Sequence, residues 1–172
     1  MPMIDSIPRV REWPANDLAL LESVVGFLEF VSVTAINKLE GLSEEQARAT
    51  PLATSPAMSL LGLIKHLTAG QRQHIQRHIG GSELPSLWRA DDTTFEFRLG
   101  PDETIATVVA AFDDELKRSR DTLASMDPEA SVLAYERPTR VGRVLVDFLQ
   151  ESARHLGHID IVREVIDGKT GE

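Results

Sequence analysis

Apolar positions recur at three- and four-residue spacings through most of the chain, the pattern of helices that bury one face. Following Asn16 and Asp17, two residues suited to capping a helix N-terminus, Leu18, Leu21, Val25, Leu28, Ser32, Ala35 and Leu39 share one stripe, and Gly41 is a natural stop. Ser43, with Glu45 and Gln46, starts a short helical turn through Arg48, and the stretch Pro51 to Pro56 breaks the chain. A second helix is predicted from about Ala57 to about His78, with Leu60, Ile64, Leu67, Gln71 and Ile75 as its stripe and Gly80-Gly81 as its stop. The third runs from near Asp102 to near Met126, turning Ile105, Val108 or Val109, Phe112, Leu116 and Leu123 inward. Its acidic start, and Lys117, Arg118 and Arg120 later on, complement the helix dipole. The fourth spans about Arg140 to Asp167, capped by Gly168.

Between helices two and three the pattern is irregular from Gly80 to Pro101, with Pro85, Trp88 and the alternation Phe95, Phe97, Leu99. A loop of this length either packs over the end of a bundle or forms a lid or pocket wall. Four amphipathic helices and no strand pair predict an all-α fold, a four-helix bundle with a long loop between helices two and three.

Bulk composition narrows this further. At 172 residues and 42% hydrophobic content, the chain suits a single domain spanning 1–172. The 27 acidic against 18 basic residues give a formal charge of −9, which repels phosphate backbones and argues against a nucleic-acid partner. With no cysteine there is no disulfide framework, and any thiol chemistry needs a thiol from outside the chain. Met1 to Trp13 holds Arg9, Arg11, Glu12, Pro2 and Pro8 but no long apolar run, so neither a signal peptide nor a membrane span is expected there. The expectation is a cytoplasmic protein without a membrane partner.

The candidate chemistry lies in Gln150-Glu-Ser-Ala-Arg-His-Leu-Gly-His-Ile-Asp160, which sets Glu151 and His155 one helical turn apart. Val141, Leu145, Phe148, Ser152, Ile159, Val162 and Ile166 mark the buried stripe of this helix. His155 falls inside that stripe and Glu151 at its edge. A carboxylate and an imidazole aimed at a core need a partner, and either a hydrogen bond between the two or a shared metal ion provides one. His66 sits mid-way along helix two, with Gly62 and Gly70 one turn before and after it, so no bulky neighbour lies on its own face. Close packing against a neighbouring element and an open cavity both explain those glycines. One histidine from helix two and a Glu/His pair from helix four make three ligands of the catalytic zinc type, with positions left for water or substrate. His158 is the alternative third ligand. His74 and His78 form another one-turn pair but read as a polar face near the helix end, and Asp147, Arg154, Asp160 and Arg163 flank the site as hydrogen-bond partners for its imidazoles or as ordinary ion pairs.

Ser59-Leu-Leu-Gly-Leu-Ile-Lys-His66-Leu resembles the helix-two histidine segment of the DinB-like superfamily, also described as YfiT-like metal-dependent hydrolases. Glu151-Ser-Ala-Arg-His155-Leu-Gly-His158-Ile-Asp-Ile-Val-Arg-Glu-Val-Ile-Asp-Gly168 resembles its last-helix signature, and Thr34 to Gln46 is similar to the end of its first helix. The resemblance covers most of the chain and points to a mostly actinobacterial branch related to mycothiol-dependent maleylpyruvate isomerase. Many superfamily members carry histidine where this chain has Glu151. The isomerase's His, Glu, His zinc pattern matches His66, Glu151 and His155, which favours Glu151 over His158.

What the resemblance implies is a metal-dependent enzyme acting on a small electrophile, a transferase or isomerase using a low-molecular-weight thiol of the mycothiol or bacillithiol type. Metal-dependent hydrolysis, or a noncatalytic, stress-associated metal-binding bundle, is the alternative. Zinc is the expected metal, with nickel and iron also suited to imidazole and carboxylate ligands. The expected partners are a small-molecule substrate and, from the superfamily, a second copy in a homodimer.

Overall fold

The structure, a computed structural model, describes residues 7–124 and 126–171; the part of the N-terminal stretch before Ile7 lies outside them. The described chain is predominantly helical. α1 (Leu20–Asn37), a short α2 (Glu44–Arg48), α3 (Leu60–Gln71), a π-helical segment (Arg72–Ile79), a 3-10 turn (Phe95–Phe97), α4 (Ile105–Leu123) and α5 (Val141–Asp167) follow one another, with a two-stranded hairpin before α5. The second expected helix thus corresponds to α3 plus the π segment, and the third and fourth to α4 and α5.

The helix ends follow from their caps. Ser43, Ser59 and Thr104 accept hydrogen bonds from the backbone N–H groups of Gln46, Gly62 and Thr107, so α2, α3 and α4 each begin at a hydroxyl. Gly168 closes α5 with φ 76°, a left-handed value that glycine adopts without steric cost. α1 starts later than Asn16 and Asp17 suggest: Ala19 holds the cap position and the Glu22 carboxylate accepts from its N–H at 3.1 Å. The preceding segment folds back over the helix instead of extending it. Trp13 stacks on Phe30 with centroids 4.3 Å apart, and Pro14 closes on Gly26, where a Cβ would sit 2.8 Å from the ring.

α1 packs along α5, α5 against α3, and α3 against α4. The buried core runs through Ala35, Ile36, Leu60, Leu61, Ile64, Val109, Phe112, Ile159 and Val162, and the expected inward positions of α3 (Leu60, Ile64, Leu67, Gln71) are all buried. By length and composition α1 could cross a membrane, with mean hydropathy 1.5 over its 18 residues; 44% of that window is buried within the fold. Its apolar face is the one laid on α5.

Two features depart from the periodic reading. Ser131–Ala134 (β1) and Arg137–Arg140 (β2) pair antiparallel where no strand pair was expected. Each strand is only four residues long, and the turn between them places Tyr135 and Glu136 at φ 54° and 61°, a two-residue turn formed without its usual glycine or asparagine. The other departure is the end of the second helix, which is π-helical over its last eight residues. β1 packs on this π segment, so the hairpin and the widened helix end form one unit.

Candidate metal centre

His66 points from the middle of α3 toward α5, where Glu151 and His155 lie one turn apart. The three residues present ligand atoms that all fall within 4.8 Å of one another. His155 Nε2 is 2.9 Å and His66 Nε2 is 3.9 Å from the same Glu151 Oε1. His66 is 8% and His155 9% exposed, whereas Glu151 is only partly covered, so the cluster has a closed imidazole side and an open carboxylate side.

The glycines flanking His66 have a packing cause. A Cβ at Gly62 would stand 2.4 Å from the backbone oxygen of Phe97, and one at Gly70 2.8 Å from the Phe148 ring. Close approach, by the loop on one side and by α5 on the other, is therefore the reason for both. The loop between the π segment and α4 forms a wall over the cluster: the Phe97 ring stacks on His66 at 4.3 Å and 13°, with Trp88 6.4 Å away at 20°. Lys65 pins this wall, donating to the Arg98 carbonyl at 2.7 Å and pairing with Glu103 at 2.8 Å.

Electrostatics favour neutral imidazoles. Burial is the main cause that pulls His66 down to about 4, with the neighbouring His155 adding to it and Glu151 opposing. His155 is lowered as well, again chiefly by burial and against the pull of its hydrogen bond to Glu151. Burial works to raise the Glu151 carboxyl, but the hydrogen bond from His155 and the charges of His155, Arg154 and His66 outweigh it and leave it below its ordinary value. Two neutral imidazoles beside one carboxylate are the protonation states a divalent cation requires.

Of the residues flanking the pair on α5, Arg154 lies 3.9 Å from the Glu151 carboxylate and the others pair elsewhere. Asp160 pairs with Lys38 at 2.7 Å, Arg163 with Asp167 at 2.7 Å, Asp147 with Arg143, and Arg154 donates to Gln150 at 2.9 Å. None hydrogen-bonds an imidazole of the cluster among the described residues. His158 lies on the far side of His155, Nδ1 to Nδ1 at 3.3 Å, away from the nitrogen that faces Glu151. The carboxylate that does approach His66 is Glu96, from the 3-10 turn: 7% exposed, with Oε1 3.4 Å from His66 Nδ1. Periodicity had no means of finding it, because the turn belongs to no amphipathic helix.

A mostly apolar cavity of about 520 Å³ lies between α1 and α4, lined by Val25, Leu28, Leu116 and Phe148 among others, and no cluster residue reaches it. What distinguishes the cluster is its donor set, three residues that could hold a metal ion. Over residues 23–168 the sequence matches the model of the family described as Mycothiol-S-transferase. The chain belongs to the mycothiol-S-transferase family. No curated protein matches it. Membership in the mycothiol-S-transferase family gives thiol S-transfer as its activity and a small-molecule thiol as a substrate, in keeping with a chain that has no cysteine of its own.

Proposed function

We propose that this chain is a single four-helix-bundle domain that transfers a low-molecular-weight thiol of the mycothiol type to a small electrophile at a divalent metal, zinc, held by His66, Glu151 and His155. The observation that carries the reading is the convergence of His66 Nε2 and His155 Nε2 on one Glu151 oxygen, from two different helices, with the ligand atoms of all three within 4.8 Å. His66 Nδ1 is buried and makes no hydrogen bond, and the Glu96 carboxylate 3.4 Å away is the acceptor within its reach, which leaves Nε2 as the nitrogen for a ligand role.

His66, Glu151 and His155 would hold the cation, which when bound would supply a lowered thiol pKa and a fixed place for the sulfur beside the electrophile. The chain's own residues do the rest. Neutral His66 and His155 keep their ring nitrogens available at neutral pH, and Glu151 supplies the one negative charge. Phe97 and Trp88 cover His66 and exclude water from that side, leaving the Glu151 side as the entrance. In the transfer, the sulfur forms a bond to the electrophilic carbon, the displaced group leaves with the electron pair of the broken bond, and the thiol proton passes to solvent.

The experiment is elemental analysis of purified protein beside a His155→Ala variant, followed by thiol consumption with several electrophiles. Stoichiometric zinc in the wild type, lost in the variant together with turnover, is the expected result. Equal metal content in the two sinks the ligand set.

A further inference from the structure

The π segment carries a second group of polar aromatic side chains that the metal cluster does not use. His74 is 8% exposed, and its Nδ1 lies 3.2 Å from the Tyr135 hydroxyl at the tip of the β hairpin. Trp88 stands between His66 and His74, 6.4 Å from the first ring and 5.7 Å from the second. The His78 ring is 5.0 Å from Tyr135 and, with Gln73, Arg77 and Leu133, lines a hollow of about 400 Å³ beside the pair. Two polar atoms in this group, Trp88 Nε1 and Gln73 Oε1, are buried without a hydrogen-bond partner among the described residues.

The His74–Tyr135 pair is itself uncharged, with Arg77 on the wall of the hollow and Arg137 and Arg143 near the phenol as the cations around it. Burial, and next the neighbouring His78, push His74 down to about 4, and burial raises the Tyr135 phenol, so an imidazole and a phenol both stand neutral at physiological pH. Flat aromatic faces beside neutral donors and acceptors suit hydroxyl- and amide-bearing molecules rather than ions. We propose that His74 and Tyr135, walled by Trp88, form a subsite for the uncharged, hydroxyl-rich body of the thiol cosubstrate, while its sulfur occupies the site at His66, Glu151 and His155.

Distance decides which substrate the subsite serves. His66 and His74 are eight residues apart along one continuous helical segment, at most about 12 Å, the figure for an unbroken α-helical rise that the π residues shorten. A small electrophile cannot touch both places; a thiol carried on a bulky polar body can. The π register matters here, because its i to i+5 hydrogen bonds place more residues in each turn than an α-helix does. His74 is thereby rotated back toward the face that carries His66, and the Tyr135 phenol can meet it from the hairpin.

This inference rests on the proposed thiol transfer, and its test separates the two. Zinc-loaded wild type, Tyr135→Phe and His74→Gln are titrated calorimetrically with mycothiol and with N-acetylcysteine, a thiol too short to span the distance, and zinc content is measured in each. Removing one hydrogen-bonding group should raise Kd for mycothiol about tenfold, at least five times the change seen with N-acetylcysteine, with zinc content at the wild-type level. Equal losses for both thiols, no loss for either, no binding of mycothiol, or zinc lost from Tyr135→Phe each overturn the subsite and leave the pair as a latch between hairpin and helix. Mycothiol binding that depends on Tyr135 but leads to no turnover with any electrophile sinks the transfer reading alone. Turnover indifferent to Tyr135 sinks the subsite alone.

Discussion

His66 Nδ1 lies 3.4 Å from a Glu96 carboxylate oxygen that comes from a 3-10 turn outside the packed helices. A carboxylate behind a ligating imidazole fixes the ring's orientation and tautomer, and removing such a partner typically weakens metal affinity by about 10–100-fold. Glu96→Gln keeps the shape and removes the charge. Chelator competition should show zinc affinity lowered by about tenfold or more at unchanged stoichiometry; affinity equal to wild type would mean that Glu96 packs beside His66 without acting on it.

The proposed preference for Glu151 over His158 rests on which nitrogen of His155 each one faces. Glu151 meets Nε2 at 2.9 Å, whereas His158 meets Nδ1 at 3.3 Å. One imidazole cannot direct both nitrogens at the same cation. His158→Ala should therefore retain one zinc per chain at saturating metal, with affinity reduced by about tenfold at most, and Glu151→Ala should lose the zinc. The reverse pattern would move the third ligand to His158.

These contrasts show what the sequence made legible. The stripes of α1, α3, α4 and α5 repeat at the helical period, so Leu60, Val109, Phe112 and Ile159 could be placed in the core, and Glu151 and His155 could be set on one face, from spacing alone. Glu96 and Trp88 lie in a segment without a period, and its end is pinned through Arg98 and Glu103 to Lys65 of α3 and Arg48 of α2. His74 was hidden for a different reason: it stands three residues after Gln71 and seven after Leu67, at the edge of the buried stripe, but Arg72, Gln73, Gln76, Arg77 and His78 around it give that helix end a polar character, and only packing against Trp88, Tyr135 and Phe148 shows it buried at 8% exposure. Tyr135 sits in a hairpin whose four-residue strands are too short to show alternation.

Glycine substitutions separate close packing from free helix surface. A Cβ at Gly62 would meet the Phe97 carbonyl at 2.4 Å, a backbone atom that cannot step aside cheaply, while Gly157 in α5 has nothing within 4 Å of that position. Gly62→Ala should destabilise the fold by about 1–3 kcal/mol and displace the wall over His66. Gly157→Ala should stabilise it by about 0.5–1 kcal/mol through helix propensity. Denaturant unfolding of both variants checks the pair; a neutral Gly62→Ala would show that the loop is not held against α3.

Acid should destabilise the fold through His74. Its folded pKa is pushed from 6.5 to about 4, first by burial and then by His78, so the unfolded chain takes up a proton between these values that the folded chain refuses. The stability this represents is fully present above pH 6.5. It falls as the pH is lowered through the window and is lost below about pH 4, a change on the order of 3 kcal/mol. His74→Gln keeps a neutral polar side chain at every pH and should flatten the slope of unfolding free energy against pH between 6.5 and 4. Measured on metal-free protein, so that ligand protonation at the cluster is common to both chains, an unchanged slope in the variant would place the acid sensitivity elsewhere.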